Sequence, residues 1–594
     1  MNNESCFLIP TGEKSTWKFD RPVIFLGEWC LRYEDKKIWS AMDFKVNPSY
    51  GNDQKTKDLD AIKSARIFIE IFPKLCSSLN VLHGVDYSER FWRILLGSWF
   101  EHFIDVIINR VETLQECLKI YPINEVAVFS GTPISLASPN SHSAAFLYSD
   151  DRWNHQLTML LLDKMPELKL EKIPIREIDK LATLKSFSKS PKNFKMRLNH
   201  SIFAMYGKAT SRFMRDNESV VISSFLSLKS EILLQALLRQ VPKIRVGEMF
   251  CSETKVNSDL RLRLSRETKD WGSNFFESLI SELLFETIPT CYLEAFNELK
   301  LSADQRSFPS SPKFIFTSNS FEYDEAFKYY SASKSESGSK IVHGQHGNNY
   351  GTHRYMNPSN EEVVCDKFLT WGWKGDLAQH TPAFILRNSG KSHPRKKKRG
   401  KLLLIETIEP IRFETWDTAN QFKVYFEDQK KFVQLLDSEP KSQLLVRLAS
   451  GSQWTNNSED IQWNDFDSNI VLDDGFRNIR SLIQRSRLII HSYDSTGLLE
   501  TLSWNLPTLA FWQNGLEHLR DEVVQDFQAL HEVGLLHFSA TEAAQKVNEI
   551  WGDIDAWWGD HKIQNARKLF CSKYAVLNNA PLRKLNRLLR ENSN

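Results

Sequence analysis

The sequence has no excess of charge of either sign and few residues that break regular structure. Its 594 residues include 76 Lys and Arg against 74 Asp and Glu, a formal net charge of +2. Without a basic excess, binding to nucleic acid through bulk charge is disfavoured, and we expect no nucleic-acid partner. The 24 Gly and 21 Pro are fewer than an average chain of this length carries, which excludes collagen-like and long low-complexity architectures.

Cysteine pairs and long apolar segments are missing as well. The eight cysteines are far apart and form neither a CxxC pair nor a zinc-type grouping with His, so we expect reduced thiols and a cytoplasmic protein. No apolar run approaches the roughly 18 residues of a membrane-spanning helix, and the N-terminus lacks the features of a signal peptide. We expect at most peripheral contact with a membrane.

Several catalytic signatures are also absent. The sequence contains no Walker loop, no GxSxG elbow, no kinase signature set and no GxGxxG fingerprint. The sequence therefore lacks the usual markers of enzymes that catalyse hydride transfer, serine hydrolysis or ATP-driven transfer. We expect no cofactor.

Apolar runs alternate with helical segments on both sides of a basic segment, residues 387–401 (RNSGKSHPRKKKRGK). Gly, Ser, Pro and eight basic side chains identify that segment as an exposed linker, with a contact to anionic lipid or phosphate as the alternative. Strand-like runs after the linker lie at residues 401–406, 443–448, 469–472, 487–491 and 508–512. Strand-like runs before it lie at residues 23–26, 125–129, 219–223, 313–317, 340–343 and 367–371.

This alternation predicts parallel sheets covered by helices on both faces. The predicted fold is α/β, with two Rossmann-like domains facing a cleft and an N-terminal helical elaboration. The predicted boundaries are 1–120 for the elaboration, 121–386 for an acceptor domain, 387–401 for the linker, 402–555 for a donor domain and 556–594 for C-terminal helices. We expect the C-terminal helices to pack on the first domain, with attachment to a membrane surface as the alternative.

The segment RLIIHSYDSTGLLETLSWNLPTLAFW, residues 487–512, predicts a strand that ends at His491 and a helix that opens at Ser495, Thr496 and Gly497. Free N–H groups at such a helix start suit a phosphate, and Gly497 would let it approach. We assign Glu500 or Asp494 to the ribose and include His491 among the phosphate-binding candidates. Asp494 is alternatively an N-cap, and the whole segment a plain capped connection.

The segment KIVHGQHGNNYGTH, residues 340–353, places three histidines beside glycines after a predicted strand. His346 is our candidate for a general base or for a cation that faces phosphate, and Gly347 for a phosphate contact. His343 is more simply buried. The histidine spacing fits no zinc motif, so we expect no metal.

Two N-terminal carboxylates are alternative bases. Glu28 follows a buried strand, and Asp86 precedes a helix that begins near Ser88. Either could deprotonate an acceptor hydroxyl. The structural alternatives are an ion pair for Glu28 with Arg32 or Arg90, and an N-cap for Asp86.

The segments FLGEWCLRY, HGVDYSERFWRILLGSW, HGQHGNNYG with TWGW, and HSYDSTGLLETLSWNLPTLAFW together resemble a transferase family of bacterial surface-polysaccharide and O-antigen clusters, first described from Leptospira. More distantly, the second half resembles the donor domain of GT-B glycosyltransferases, with Ser495, Thr496, Gly497, Glu500 and Pro507 matching. Asn505 departs from that pattern, which commonly has a Gly there.

The resemblance implies a GT-B-like, metal-independent glycosyltransferase that moves a sugar from a nucleotide-activated donor to a glycan or lipid-linked acceptor, for O-antigen or capsule. It implies a bacterial cytoplasmic enzyme with possible contact with the inner face of the inner membrane. A CMP-activated nonulosonic acid or Kdo-type sugar is favoured as donor. The alternatives are a CDP-polyol phosphotransferase of the teichoic-acid-polymerase type, a glycan-binding subunit without activity and a nucleotide-sugar epimerase.

Overall fold

Three parallel β-sheets organise the protein, which we describe from a computed structural model. The structure describes residues 5–51, 53–130, 134–165, 170–175, 213–355, 358–388, 399–407, 422–450 and 457–591. All strand pairings within the three sheets are parallel. The predicted α/β class is therefore confirmed, with three sheets in the described chain where two domains were expected.

The first sheet has five strands in the order β3-β2-β1-β4-β5. Its strands are β1 (Cys6–Ile9), β2 (Val23–Phe25), β3 (Phe44–Val46), β4 (Ile123–Phe129) and β5 (Glu171–Ile175). The helices of this region are α1 (Lys36–Trp39), α2 (Gln54–His83), α3 (Glu89–Trp92), α4 (Ser98–Ile120), α5 (Ser141–Leu147) and α6 (Asp151–Lys164).

The second sheet also has five strands, in the order β10-β9-β8-β7-β6. Its strands are β6 (Val220–Val221), β7 (Phe314–Thr317), β8 (Lys340–Gly344), β9 (Lys367–Thr370) and β10 (His380–Pro382). The helices between them are α7 (Leu228–Leu237), α8 (Ser258–Glu267), α9 (Phe275–Thr287), α10 (Phe296–Asp304), α11 (Glu325–Glu336) and α12 (Asn360–Val364).

The third sheet has six strands in the order β13-β12-β11-β14-β15-β16. Its strands are β11 (Lys401–Ile405), β12 (Leu444–Arg447), β13 (Val471–Asp473), β14 (Ser486–His491), β15 (Thr508–Phe511) and β16 (Leu536–His537). Its helices are α13 (Phe422–Gln434), α14 (Ser438–Ser442), α15 (Glu459–Phe466), α16 (Ile479–Ile483), α17 (Thr496–Ser503), α18 (Asp521–Glu532), α19 (Ala540–Ile550), α20 (Ile554–Gly559), α21 (His561–Tyr574) and α22 (Pro581–Arg590).

Alternate side chains of each strand enter different hydrophobic clusters, which explains the continuous apolar runs. In β11, Leu402 and Leu404 pack in one cluster with α13 and α19, while Leu403 packs in another with α16. In β1, Phe7 and Leu8 likewise enter separate clusters. A sheet covered on both faces needs apolar residues at consecutive positions, so strand periodicity is lost and an unbroken run remains.

The strand at Ile123–Phe129 differs from the predicted organisation. It pairs with β1 and β5 in the first sheet, whereas the boundary expected between residues 120 and 121 would place it with the second sheet. The N-terminal region is therefore built on its own parallel sheet, completed by β4 and β5 after the long helix α4. Apolar runs identify buried strands, but they do not specify which sheet each strand joins.

The last helix, α22, packs on the second sheet, whereas α21 packs on α17 and α18. Leu585 and Leu589 of α22 are buried with Phe314 of β7 and Leu369 of β9. The Lys367 ammonium donates to the Leu588 carbonyl at 2.9 Å. Of the predicted linker, residues 389–398 lie outside the described part of the chain. No described helix combines the length and apolar character that crossing a membrane requires.

Truncation of α22's buried leucine tests this packing. We expect Leu585→Ala to lower the free energy of unfolding by about 2–5 kcal/mol, because a fully buried side chain leaves a cavity. Leu569→Ala is the matched control, since that side chain is 60% exposed and its loss should change stability by less than about 0.5 kcal/mol. Urea unfolding followed by Trp fluorescence measures both; equal effects would contradict this packing.

Candidate active site between the second and third sheets

Two of the segments singled out in the sequence meet at the carboxyl ends of β8 and β14. The Asn348 side-chain amide donates to the Asp494 carbonyl at 3.0 Å and to Asp494 Oδ1 at 3.1 Å. The Thr496 hydroxyl donates to Asn348 Oδ1 at 3.4 Å. A Cβ on Gly347 would lie 3.7 Å from Thr496 Oγ1. The strand ends of two α/β sheets thus contact each other, which is where open sheets of this type bind ligands.

Ser495 is the N-cap of α17, and its hydroxyl is used inside the protein. It accepts from the Leu498 N–H at 3.0 Å and lies 3.0 Å from His491 Nδ1. Such a cap contributes ~1 kcal/mol to helix stability. Its expected role as a phosphate donor is therefore not supported, because the side chain is buried and already paired. Among the described residues, the N–H groups of Thr496 and Gly497 have no acceptor.

His491 lies beneath this helix start rather than beside a ligand. Its ring is buried, and Nε2 lies 3.2 Å from the Thr501 hydroxyl. Burial lowers the pKa of His491 to about 3, so the ring is neutral. A Cβ on Gly497 would lie 2.8 Å from the His491 ring, so glycine is needed here for internal packing. The described contacts of His491 are internal, and its expected phosphate contact stays a prediction.

Asp494 joins the turn after β14 to two histidines. His353 Nε2 lies 3.1 Å and His518 Nε2 lies 3.2 Å from Asp494 Oδ2. Burial alone would raise the pKa of Asp494, but hydrogen bonds and charge from these histidines hold it well below its usual range. Asp494 is therefore ionised, and it is not the N-cap, a position that Ser495 occupies.

His346 belongs to a second cluster of paired groups. Its Nε2 lies 3.2 Å from Glu361 Oε2 and 3.4 Å from Glu322 Oε1, and it contacts the Tyr350 hydroxyl. Burial opposes the charged ring, yet Glu361 and Glu322 raise the pKa of His346 above its ordinary value. His343 lies buried below, 3.4 Å from Glu361 Oε1, as the sequence suggested. His346 is thus favoured as a cation over a neutral base.

Arg387 and Glu500 complete the polar surface beside α17. The Arg387 guanidinium lies 3.3 Å from Glu500 Oε1 and 4.3 Å from the Phe225 ring centroid. The adjacent Asn388 amide donates to the Ser503 hydroxyl at 2.6 Å. Glu500, expected at the ribose, therefore already pairs with a cation of the second-sheet region.

Asn505 occupies the position, two residues before Pro507, at which the GT-B pattern commonly has glycine. Its φ of 55° lies in the left-handed region that normally favours glycine. Asn is among the residues that tolerate this conformation. Its Oδ1 also accepts from the Trp558 indole N–H at 2.9 Å. The chain therefore follows a glycine-like path before Pro507 without glycine.

The two N-terminal carboxylates do not join these clusters. Glu28 lies at the carboxyl end of β2 and pairs with Lys423 at 3.3 Å, not with either arginine considered. Asp86 is exposed, and Ser88, not Asp86, caps α3. Arg90 of the same helix binds Asp366, which also lies 3.3 Å from Lys340 at the start of β8. Asp86 thus lies toward the amino ends of these strands, opposite His346, and is unsuited as a base.

Sequence reasoning missed several residues that build the site. They are Asn348, Tyr350, Glu361, Arg387 and His518. Asn348 and Tyr350 lie in the loop already singled out, so their position was a usable signal. His518 follows β15, 24 residues after Asp494, and only the sheet order brings it to Asp494.

The parallel sheets define an α/β protein, and the strand ends of the second and third sheets contact each other. The chain belongs to the LIC12162 family of transferases, whose model matches residues 6–589. It is a transferase. No curated protein matches the sequence.

Solved structures show distant similarity. The wall teichoic acid polymerase TagF is 10% identical with a TM-score of 0.33, over 69% of this chain and 98% of that one. The spinosyn rhamnosyltransferase SpnG, complexed with spinosyn aglycone, is 11% identical with a TM-score of 0.30, over 63% and 100%. The glycosyltransferase SsfS6 of Streptomyces sp. SF2575, complexed with thymidine diphosphate, is 10% identical with a TM-score of 0.31, over 63% and 99%.

The charge state of His346 is testable directly. We expect its pKa above the ordinary value of about 6.5 in the native protein and lower in Glu361→Gln, because the carboxylate charge is removed. Protonated His346 therefore stabilises the folded protein, fully at pH values below about 6.5. This stabilisation is lost as the pH rises through the pKa of His346 in the folded state. NMR titration of ¹³C-labelled histidine rings measures the change. Glu427→Gln, on the exposed face of α13, is the control; an unchanged His346 pKa in Glu361→Gln would contradict the assignment.

Proposed function

We propose that this transferase is a glycosyltransferase that moves a sugar from a nucleotide donor to a bacterial surface glycan, with the donor phosphate at the start of α17. One observation carries the proposal: the N–H groups of Thr496 and Gly497, which have no acceptor among the described residues, lie next to the loop that bears His346. A helix start and a cation together favour an anion between them.

The leaving nucleotide phosphate needs its charge stabilised as the glycosidic bond breaks. Helix N–H groups at Thr496 and Gly497 and the imidazolium of His346 supply fixed positive charge. Arg387 adds a guanidinium on the same side, close enough to influence the pKa of His346. The raised pKa therefore favours the electrostatic role of His346 over its alternative role as the base.

The acceptor hydroxyl still requires a base. Glu322 follows β7 at the same edge of the second sheet, and its side chain is 47% exposed beside His346. Partial burial and the charge of Glu361 raise the pKa of Glu322. The ionised carboxylate of Glu322 is therefore a better proton acceptor than an ordinary glutamate. We assign proton removal to Glu322, in place of Asp86 and Glu28.

The proposed donor is inferred from the start of α17. The Ser-Thr-Gly helix start is typical of the transferases that use CMP-activated nonulosonic acids or Kdo, so we favour such a donor. The acceptor would be an O-antigen or capsule glycan, free or lipid-linked. We place the reaction in the bacterial cytoplasm, with peripheral contact with the inner membrane.

A specific contact favours a second candidate, transfer of polyol phosphate from a CDP donor. The loop that begins His346-Gly347 touches the turn Tyr493-Asp494-Ser495 through Asn348. These are looser analogues of the His-Gly loop and Tyr-Ser-Ser turn of teichoic-acid polymerases. The product linkage, glycosidic in one case and phosphodiester in the other, decides between them.

Nucleotide binding tests the phosphate site. We expect CMP or CDP to raise the thermal unfolding midpoint, and Thr496→Pro to weaken that binding about tenfold, because proline is tolerated at the first helical position but removes one of the two N–H donors. Thr541→Pro, in the first turn of α19, is the matched control and should bind as the native protein does. Titration calorimetry gives the affinities; equal affinity in both variants would place the phosphate elsewhere.

Turnover tests the role of His346. With a CMP-activated sugar and a glycan acceptor, we expect His346→Ala to lower kcat about 100-fold or more while the circular dichroism spectrum is unchanged. Mass spectrometry of the product identifies the linkage. Full activity of the variant would contradict the role of His346, and no transfer by the native protein with any cytidine donor would favour a glycan-binding subunit.

A further inference from the structure

We propose that His353, Asp494 and His518 bind a divalent transition-metal ion of the zinc class. One possible ligand atom from each residue lies within 4.8 Å of those of the other two, which is the reach of a single ion. Two imidazoles and one carboxylate are ligands that zinc uses in open sites with a fourth position for water or substrate. No metal was predicted, because the spacing of His343, His346 and His353 fits no zinc motif, and Asp494 and His518 lie far from them in the sequence.

The spacing of the ligand atoms fits one ion. Zinc bonds of about 2.0–2.1 Å in a tetrahedral site put neighbouring ligand atoms about 3.4 Å apart. Asp494 Oδ2 lies 3.1 Å from His353 Nε2 and 3.2 Å from His518 Nε2. Shifts of a few tenths of an ångström would therefore admit the ion. Both imidazoles present Nε2 to the same carboxylate oxygen, so the three atoms that would face one ion are already adjacent.

The three ligands come from separate segments that are already held together. His353 lies after β8, Asp494 after β14 and His518 after β15. The backbone of residues 352–354 runs against that of 518–520: Arg354 N–H donates to the His518 carbonyl at 3.0 Å, and Arg520 N–H donates to the Thr352 carbonyl at 2.9 Å. His353 and Leu519 form an isolated antiparallel bridge. The site is thus preorganised by main-chain contacts.

Asn348 supplies the outer support that ligating carboxylates usually have. Its amide donates to Asp494 Oδ1 at 3.1 Å, which leaves Oδ2 to face the two imidazoles. Outer contacts of this kind fix the orientation of a ligand, and their loss typically weakens metal binding about 10–100-fold. The same amide binds the Asp494 main-chain carbonyl, which fixes the turn.

One side of the site is open to an additional ligand. The side chains are 6% exposed for Asp494, 16% for His353 and 28% for His518. Asp494 lies two residues before Thr496, at the start of α17. A phosphate oxygen of the donor could therefore occupy the fourth position, a role that depends on the function proposed above; metal binding itself does not.

Uptake of metal by the whole protein tests the inference. After treatment with a chelator, we expect the native protein to bind one equivalent of Co²⁺ or Zn²⁺, with the visible absorption of tetrahedral Co²⁺. His518→Ala should lower the affinity at least about 100-fold and Asn348→Ala about tenfold. His561→Ala removes an exposed histidine at the start of α21 and should leave uptake unchanged.

The outcomes separate this inference from the proposed function. Failure of the folded native protein to take up Co²⁺ or Zn²⁺ in titration calorimetry would overturn the metal site and show that the histidines only hydrogen-bond Asp494. Equal uptake by His518→Ala would overturn it too. Uptake that depends on His518, with a Co²⁺ spectrum unaffected by CMP and CDP and no cytidine binding, would retain the metal site and contradict the proposed donor. Circular dichroism establishes that each variant is folded.

Discussion

Three segments of the chain are in contact at the Asp494 carboxylate, and its negative charge holds them together. It accepts from Asn348 of the loop after β8 and lies within hydrogen-bonding distance of His353 and His518. A buried carboxylate without such partners would be costly, because desolvation disfavours the ion. The histidines and amide offset that cost and, in doing so, fix the loops of the second and third sheets against each other.

The same principle divides the histidines of this region into different states. Among the described residues, His491 has only neutral partners below α17, and burial leaves it neutral. His346 is also largely buried, but Glu361 and Glu322 outweigh desolvation and favour its cation. Both histidines lie near the carboxyl end of a strand, His491 as the last residue of β14 and His346 two residues beyond β8. The neighbouring carboxylates, and not burial, therefore decide which imidazole can act on an anion.

The sequence predicted local elements well and their assembly less well. The apolar run that ends at His491 and the helix that follows Ser495 were predicted within a residue or two, because buried strands and N-caps have local signals. The pairing of β4 with β1 was not predicted, because strand pairing depends on packing between segments that are distant in the sequence. The internal hydrogen bonds of Ser495 and His491 could not be predicted for a related reason, because whether a polar atom faces a ligand or another side chain is a tertiary property.

The connection between the second and third sheets also bears on the proposed phosphate site. Asn388, the last residue described at the start of the basic segment, donates to Ser503 at the end of α17, and Arg387 pairs with Glu500 in its middle. Arg567 of α21 donates to the Leu502 carbonyl at 2.9 Å. The carboxyl-terminal half of α17 is thereby fixed by the second-sheet region and the C-terminal helices, while its first N–H groups have no acceptor among the described residues. Because the helix is held at that end, an anion at the proposed site would meet donors that need no rearrangement.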